Sequence, residues 1–314
     1  MTDDLAPHLD IVLRHAATGS TDTLIPRLDM FVGQDTTGKV PCLYRSMICF
    51  ILQGSKRVAI GDTLLSYDSA QYFISALDLP LTGQILDAGK GRPYVAVSLV
   101  LEPALLAELA ATMPSVRESD QKGMGVAVNP MIAPLRDTLL RLLSLLDNPA
   151  DIPILSPMIE RELLYRLLQG PQGRLLRQIA RPEGALARIR RAIAWIRDHP
   201  DAHLRIEALC DASGMSRASL HRHFLAITGF SPLQYQKQLR LQEARQLLLS
   251  GGHSASDAAF AVGYESASQF SREYLRQFGA PPVRHVQEMR QAIEHPTVSA
   301  AAGQSPRRRA GSSG

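Results

Sequence analysis

The chain has 314 residues, of which 45% are hydrophobic and 20% are charged, and its formal net charge at pH 7 is +4. This length suits two globular domains, each large enough to bury a core. The three cysteines, Cys42, Cys49 and Cys210, are odd in number and lack C-x-x-C spacing, which argues against a disulfide or zinc framework. The acidic start MTDDLAPHLD is no signal peptide, and no apolar run approaches the ~20 residues of a membrane helix. We therefore expect a cytoplasmic protein with no membrane partner.

The first hundred residues favour β-structure. Leu5 to His15 predicts a short helix, followed by a polar loop through Asp22. From Leu28 to Glu102, short apolar or alternating runs are separated by Gly, Asp and Pro, and we predict strands at residues 28–33, 46–53, 56–61, 63–67, 71–76, 81–88 and 93–102. Closely spaced strands with turn residues between them indicate an antiparallel barrel or sandwich.

Three helices are predicted next, at residues 104–111, 132–146 and 158–168. The second carries a leucine stripe, which either packs on the barrel of its own chain or contributes to a dimer contact. The stripe consists of Leu135, Leu139, Leu142, Leu143 and Leu146. Glycine and proline at both ends of residues 169–184 indicate a linker between two domains. We expect the next domain to open with a helix whose apolar face contains Leu186, Ile189, Ile193 and Ile196, with Trp195 in the core.

A repeat organises the second half of the chain. The segment SRASLHRHFLAITGFSP from Ser216 and the segment SASQFSREYLRQFGAPP from Ser266 match in residue type at seven places, at a constant offset of fifty. Each follows a short helical run and a turn glycine, Gly214 in the first copy and Gly263 in the second. A helix, a glycine turn and a second helix form the helix-turn-helix pattern, so the sequence predicts two such units in tandem.

Helical spacing predicts which side chains each copy exposes. Ser216 is a good N-cap, and Leu220, Phe224 and Ile227 behind it form a buried face. In the second copy Ser254 with Asp257 and then Ser266 supply the caps, and Phe270, Tyr274 and Phe278 form the buried stripe. The side chains left on the open faces are Arg217, Ala218, His221 and Arg222 in the first copy and Ala267, Ser268, Gln269, Ser271 and Arg272 in the second.

These open faces have the chemistry of a DNA major-groove reader. Arginine bonds guanine and glutamine bonds adenine in bidentate fashion, while small side chains allow close approach. A long helix from Pro232 to about Leu249 joins the copies, with Leu233, Leu239, Leu247 and Leu248 as its expected apolar face and Gly251-Gly252 at its end. Such a helix holds two reading heads about one DNA turn apart, ~34 Å. Two ordinary helical hairpins would not be expected to repeat an arginine at the matching position.

The charge distribution agrees with a DNA partner. Residues 183–293 hold 14 Lys and Arg against 10 Asp and Glu, whereas residues 1–182 hold 17 against 19. The positive excess therefore lies in the part predicted to contact phosphates.

The segments GMSRASLHRHF, GFSPLQYQKQLRLQEARQLL and VGYESASQFSREYLRQFGAPP resemble the DNA-binding domain of AraC/XylS-type transcription regulators, over roughly Ala185 to Arg290. The resemblance implies base reading by Ala218, His221 and Arg222 and by the second open face, Ala267, Ser268, Gln269, Ser271 and Arg272. Ala218 is smaller than the side chains often found at its position. His221 has three alternatives: a base contact, a phosphate contact or a solvated side chain.

The N-terminal part, through DIPILSPMIERELLYRLLQGPQGRLLRQIA, resembles the cupin-like AraC-type N-terminal domain. This resemblance implies a small-molecule effector in the barrel, a homodimer formed through the following helices, and RNA polymerase as a partner. No residue-level pocket motif is present. Five side chains either line the barrel or serve in packing: Tyr44, Phe50, Gln53, Tyr67 and Tyr72.

An enzyme is the alternative from another class, because barrels of this kind can hold a metal on histidines and carboxylates. No histidine occurs between His15 and His199, so the barrel lacks the usual ligands, and His221 and His223 lie on different faces of a helix. We expect no catalysis, no metal and no cofactor. A second alternative is a DNA-binding regulator whose barrel senses nothing.

The sequence thus predicts an α+β chain of two domains: a cupin-like effector-binding and dimerisation domain (1–168), a linker (169–184), a tandem helix-turn-helix DNA-binding domain (185–293) and a disordered tail (294–314). The expected function is sequence-specific binding of double-stranded DNA to regulate transcription, with activation the commoner mode in the families it resembles.

Overall fold

The computed structural model describes residues 3–89, 91–114, 124–200 and 203–294. It divides into two compact units, one ending at Leu239 and the other beginning at Arg240. The first unit contains the β-structure, the helices that follow it and the first helix-turn-helix, and the second contains the remaining helices. An α+β architecture with an N-terminal β-domain, trailing helices and a C-terminal helical region is confirmed, whereas the domain limits drawn from the sequence stay a prediction.

Within the described ranges, ten antiparallel strands form two sheets. The strands are β1 (Gly19–Asp22), β2 (Leu28–Gly33), β3 (Val40–Tyr44), β4 (Met47–Gln53), β5 (Ser55–Ile60), β6 (Thr63–Asp68), β7 (Gln71–Ser75), β8 (Leu79–Asp87), β9 (Tyr94–Val100) and β10 (Val126–Pro130). One sheet has the order β1-β2-β9-β4-β7-β10 and the other the order β3-β8-β5-β6. Two packed antiparallel sheets are typical of jelly-roll and cupin domains.

Seven of the strands correspond to the predicted ones, and β1, β3 and β10 are additional. The polar loop predicted through Asp22 is wrong there, since Gly19 to Asp22 pair with β2 from Val32 to Asp29. All three additional strands lie at sheet edges. Their side chains need not alternate in burial, because main-chain pairing on one side holds them, and β3 and β10 each contain a proline, which edge strands tolerate.

The first sheet is covered on both faces. Across the space between the sheets, the ring of Phe73 lies 5.7 Å from that of Tyr44 and 5.4 Å from that of Tyr67, measured between centroids. Phe50 and Tyr72 pair on the opposite face, 5.9 Å apart, with the Tyr72 hydroxyl beside Gly170 of the helical layer. Successive residues of a strand point to opposite faces, which explains why neighbours such as Tyr72 and Phe73 serve different layers.

The helices of the β-domain are α1 (Ala6–His15), α2 (Pro103–Ala111), α3 (Ala133–Ser144), α4 (Ile152–Gln169) and α5 (Gly173–Ala180). The leucine stripe, on α3 and the short 3₁₀ turn after it, is buried inside its own chain, where α3 packs against α4 and α1. These leucines are therefore not exposed to a second copy of the chain. Helix α4 starts six residues before the predicted position and continues through Pro157, a residue that usually ends a helix. Helix α5 lies inside the predicted linker because Leu176 and Ile179 are buried.

The remaining helices are α6 (Ala185–Asp198), α7 (Ile206–Ser213), α8 (Arg217–Thr228), α9 (Pro232–Ser250), α10 (Ala255–Ala261), α11 (Ala267–Phe278) and α12 (Pro282–Glu294). The four apolar residues predicted on α6 are buried, but Trp195 is only half-buried and stacks on His199 at 4.3 Å between ring centroids. Apart from Glu294, the last residue of α12, the predicted tail lies outside the described residues.

One expectation for α9 is wrong. Leu233 is 63% exposed, whereas the buried side chains of this helix include Tyr235, Leu241, Ala244 and Leu248. At 3.6 residues per turn, Leu233 lies about 200° around the helix from Tyr235, so both cannot face the same core. The face of α9 that contains Tyr235 is therefore the buried one.

Candidate nucleic-acid interface

The first helix-turn-helix unit consists of α7, a turn at Gly214 and α8. Gly214 has φ +63°, a left-handed conformation that glycine adopts readily and that ends α7. Arg188 of α6 supports the turn by donating a hydrogen bond to the Gly214 carbonyl oxygen at 2.8 Å. Ser216 then begins α8, with its side chain accepting a hydrogen bond from the Ser219 amide. Local chemistry thus determines where the second helix of the unit starts.

Helix α8 has one apolar and one exposed face. Leu220, Phe224 and Ile227 are buried, as predicted. The four predicted DNA-contacting residues are all exposed, at helix positions i, i+1, i+4 and i+5 of a single stripe: Arg217, Ala218, His221 and Arg222.

The two guanidinium groups of this stripe are weakly held. Arg217 lies 4.0 Å from the Glu207 carboxylate, with both side chains largely exposed, and such pairs contribute little stability. Arg222 contacts Nε2 of the adjacent His223 at 3.4 Å. Both guanidinium groups can therefore turn toward a ligand without breaking a buried interaction.

The second unit is built in the same way from α10, Gly263 and α11. Ser254 and Asp257 exchange hydrogen bonds of 3.0 and 3.1 Å between side chain and main chain, which is the predicted capping box. Gly263 has φ +82°, and its carbonyl oxygen accepts a hydrogen bond of 3.1 Å from Arg240. Ser266 caps α11 by accepting from the Gln269 amide.

Helix α11 presents the second predicted face. Ser268, Gln269 and Arg272 are exposed, while Ala267 and Ser271 are half-buried. The Gln269 amide is 3.5 Å from a Glu273 carboxylate oxygen. Within the described part of the chain, the Arg272 guanidinium has no hydrogen bond or ion pair, so it is available to a partner outside the chain.

The two exposed stripes occupy the same helical positions. Helices α8 and α11 are both 12 residues long, both begin after a capping serine and both end at a left-handed glycine, Gly229 and Gly279. The stripe at 217, 218, 221 and 222 therefore recurs at 267, 268, 271 and 272. The structure places all nine predicted residues on these helices, and their contact with DNA stays a prediction.

The core beneath α11 is aromatic. Phe270 and Tyr274 are buried, but Phe278, predicted to share that stripe, is only half-buried beside His285 and Arg245. Burial raises the pKa of Tyr274 to about 12, and its hydroxyl lies 3.1 Å from Nδ1 of His285. Burial and, secondarily, the Arg245 charge lower the pKa of His285. A neutral pair of Tyr274 and His285 thus forms part of the core beneath the second helix-turn-helix.

The β-domain interior contains two polar residues that the sequence interpretation missed, Lys56 and Tyr94. The Lys56 ammonium lies 5.1 Å from the centroid of the Tyr44 ring and 5.9 Å from that of the Tyr94 ring. Of the five side chains considered for the barrel, Tyr44 and Tyr67 lie with them, Phe50 and Tyr72 belong to the opposite face, and Gln53 donates to the Pro93 carbonyl oxygen. The alternation of a strand predicts the inward position of Lys56, because residues 56, 58 and 60 lie on the same face and Val58 and Ile60 are apolar.

Residues 3–89, 91–114, 124–200 and 203–294 contain neither a metal-binding cluster nor a helix that could cross a membrane. In those ranges, no group of three or more His, Cys, Asp or Glu side chains is arranged to hold a metal ion. Likewise, none of the helices described there combines the length and apolar character needed to cross a membrane.

Both regions match known families. Residues 24–175 match the model described as AraC-type transcriptional regulator N-terminus, and residues 209–288 match a helix-turn-helix domain. Curated relatives include the HTH-type transcriptional activator RhaS of Citrobacter koseri and that of Salmonella arizonae. Each is 31% identical over 156 residues, covering 49% of this chain and 54% of the relative. The chain thus spans about half the length of the curated relatives it matches.

Solved structures with a similar fold include two of ToxT from Vibrio cholerae. An apo variant has a TM-score of 0.57 at 13% identity and covers 86% of this chain and 99% of that one. The wild type with a bound unsaturated fatty acid has a TM-score of 0.55 at 11% identity, with coverages of 83% and 93%. At these identities the likeness concerns the fold, which is the two-domain α+β fold described above. The β-domain is thus similar to the N-terminal domain of AraC-type transcriptional regulators, the helical region is similar to a helix-turn-helix domain, and 156 residues of the chain are similar to the RhaS activators.

Proposed function

We propose that this protein is a transcription regulator that binds specific DNA sequences through α8 and α11 and responds to a small organic effector. The observation that carries the proposal is the repeated stripe, two capped helices of equal length with an exposed arginine at the same position, Arg222 and Arg272. Relatives described as transcriptional activators support activation as the mode of regulation.

Each residue of the stripes has a role that follows from its chemistry. Arg222 and Arg272 read guanine through bidentate hydrogen bonds, and Gln269 reads adenine. Arg217, at the first position of α8, contacts a phosphate, and His221 lies within reach of a base edge or a phosphate. The four small residues let the helices approach the bases: Ala218, Ala267, Ser268 and Ser271.

The β-domain receives the effector in this proposal. Its double-sheet fold is shared with a ToxT structure that contains an unsaturated fatty acid, which supports a ligand-binding role for such a domain. The effector acts by binding two conformations of the regulator with different affinity, as any ligand that shifts an equilibrium must. Because the relatives are regulators, we infer that the chain works by binding, not by catalysis, in the cytoplasm and together with RNA polymerase.

We further propose a homodimer formed through α4. Ile154, Met158 and Tyr165 lie on one side of this helix, at positions i, i+4 and i+11, and are 69%, 63% and 41% exposed. A stripe of large apolar side chains in water is typical of an interaction surface. The leucines of α3 cannot supply it, because they are buried inside the chain.

Selection from a random library of double-stranded DNA tests the proposal on the full chain. The expected result is an enriched motif with two short conserved blocks about 10 base pairs apart for each subunit, since neighbouring turns of the major groove have that spacing. A footprint on the selected sequence would then show site length and half-site number. Binding without any enriched sequence would contradict specific recognition.

A further inference from the structure

A lysine side chain lies among aromatic residues between the two sheets of the β-domain. On β5, Lys56 shares its face with Val58 and Ile60, both fully buried, because alternate residues of a strand point the same way. Its neighbours across the sheet are Tyr67 on β6 and Ile85 on β8, which are also buried. The Lys56 side chain therefore starts on the inner face of the four-stranded sheet.

The Lys56 ammonium has aromatic neighbours but no anion. Its two close contacts are the ring faces of Tyr44 and Tyr94, and in the part of the chain that the structure describes it forms no ion pair and no hydrogen bond. Cation–π contacts offset only part of the cost of removing an ammonium from water. As a residue Lys56 is half-buried, whereas Val58 and Ile60 on the same face are fully buried.

Three tyrosines are neighbours of Lys56: the rings of Tyr44 and Tyr94 face its ammonium, and Tyr67 is its cross-strand partner. Tyr44, Tyr67 and Tyr94 are 5%, 2% and 1% exposed, and none of their hydroxyls makes a hydrogen bond of normal geometry within the described residues. The Tyr67 hydroxyl lies near the Tyr44 hydroxyl and the Cys49 thiol, whereas neither of these groups is an anion at neutral pH. Burial raises the pKa of all three phenols well above the ordinary value, so each is a neutral O–H donor at physiological pH. Buried donors without acceptors destabilise a protein by about 1–3 kcal/mol each, which makes three together a sign of a missing acceptor.

The lining of the space also limits the ligand. Phe73 stacks on Tyr67 and meets Tyr44 edge to face, forming an aromatic wall beside the hydroxyls. One ammonium and three neutral donors supply a single positive charge, which matches a monoanion with two acceptor oxygens better than a doubly charged phosphate.

We propose that the space between the sheets binds a small organic monocarboxylate, with its carboxylate on Lys56 Nζ and the hydroxyls of Tyr44, Tyr67 and Tyr94 and its apolar part against Phe73. This rests on the effector response proposed above and specifies the class of effector. The carboxylate gives the ammonium an anionic partner and the phenol hydroxyls an acceptor, in a charge-assisted hydrogen-bond network.

The first test needs no ligand. Replacing the unpaired ammonium by an apolar side chain of similar length, Lys56→Met, should raise the melting temperature of the ligand-free full chain, since it removes a charge held for binding and not for folding. Arg57→Met is the matched control, because Arg57 is the next residue of β5 and is exposed. A lower melting temperature for Lys56→Met than for the wild type would show that the lysine is structural and overturn the proposal.

The second test measures binding directly. Straight-chain and aryl monocarboxylates of two to ten carbons, each paired with its primary amide, are added to the full chain in thermal-shift and calorimetric titrations. We expect at least one carboxylate to bind while its amide does not, and Lys56→Met to weaken that binding by roughly 10- to 100-fold, the effect of losing a hydrogen bond to a charged group. Arg57→Met should bind as the wild type does.

Two results of this titration would overturn the proposal: no carboxylate of the panel binds, or amides bind as well as acids. Tyr67→Phe provides a milder variant that removes a single hydroxyl, and unchanged carboxylate affinity in it would exclude this hydroxyl from the site. Because the titration contains no DNA, its failure would leave the library selection unaffected, and a failed selection would leave the carboxylate result standing.

Discussion

The Tyr235 hydroxyl, at the start of α9, donates a hydrogen bond of 2.6 Å to the main-chain carbonyl oxygen of Asp78, which precedes β8. The Asp78 side chain also accepts from Arg197 of α6 and from the Ser46 amide. A further main-chain bond of 2.9 Å runs from Gly125 to Ile227 at the end of α8. Residues of α6, α8 and α9 are thus joined to the β-domain by specific hydrogen bonds within one compact unit.

Tyr235→Phe should therefore destabilise the compact unit that ends at Leu239 by about 1–2 kcal/mol. The change leaves the Asp78 carbonyl oxygen without its hydrogen-bond donor. Tyr235 is fully buried, so water cannot replace the lost bond. Chemical denaturation of the full chain measures the change. In the control Ser250→Ala, the lost hydroxyl is exposed and donates to the Leu247 carbonyl oxygen of its own helix, and stability should change by less than about 0.5 kcal/mol. Equal stabilities of Tyr235→Phe and the wild type would show that the bond contributes nothing.

Arg222→Ala and Arg272→Ala test base recognition. Each should cost about 1–3 kcal/mol of specific binding and relax the preference at one base pair, because each removes a bidentate contact to guanine. Competition binding with systematically mutated sites measures both effects. Arg57→Ala, a change of equal charge in the β-domain, should bind like the wild type. A uniform loss over all sequences would instead identify the two arginines as phosphate contacts.

Arg217→Ala should behave differently from the two central arginines. A phosphate contact contributes equally to all sequences, so its loss should weaken specific and non-specific binding alike and lower the slope of log K against log salt by about 1. The measurement is a salt titration of binding to a specific and a random duplex. Loss of preference at one base pair, with an unchanged salt slope, would place Arg217 on a base edge.

Much of the recognition region could be predicted because its signals are local. Ser216, Ser266, Gly214 and Gly263 act within a few residues of themselves, so helices α8 and α11 begin where the sequence indicates. The β-domain was predicted less completely, since edge strands such as β1 are held by main-chain pairing and carry no alternating pattern. Contacts between distant residues, such as Tyr235 with Asp78, leave no pattern in a single sequence.

The interior of the β-domain shows a second reason for incomplete prediction. A lysine such as Lys56 in the segment KRVAI is usually expected to face solvent. Only the alternation of the strand, which places it on the same face as Val58 and Ile60, indicates an inward position. Polar or charged residues in a protein interior, where apolar residues are usual, are frequent at functional sites. For Lys56 and the hydroxyls of its three tyrosine neighbours, this departure from the usual burial is the evidence for a ligand.

The last prediction concerns pH and the second helix-turn-helix. Burial lowers the pKa of His285 below its ordinary value of 6.5, with the Arg245 charge acting in the same direction and Glu288 against it. At pH values between the lowered pKa of His285 in the folded state and 6.5, the unfolded chain binds more protons than the folded chain. The stability due to neutral His285 is therefore fully present above pH 6.5 and is lost as pH falls through the folded pKa, by at most about 1.4 kcal/mol per pH unit.

His285→Gln, which stays neutral and can accept from Tyr274, should flatten the fall in stability between pH 7.5 and 5. The quantity to compare is the difference in unfolding free energy between variant and wild type at each pH, because buried His8 in the first unit has a lowered pKa as well and contributes its own slope. Parallel curves for His285→Gln and the wild type would mean that the tyrosine–histidine pair does not sense pH in this range.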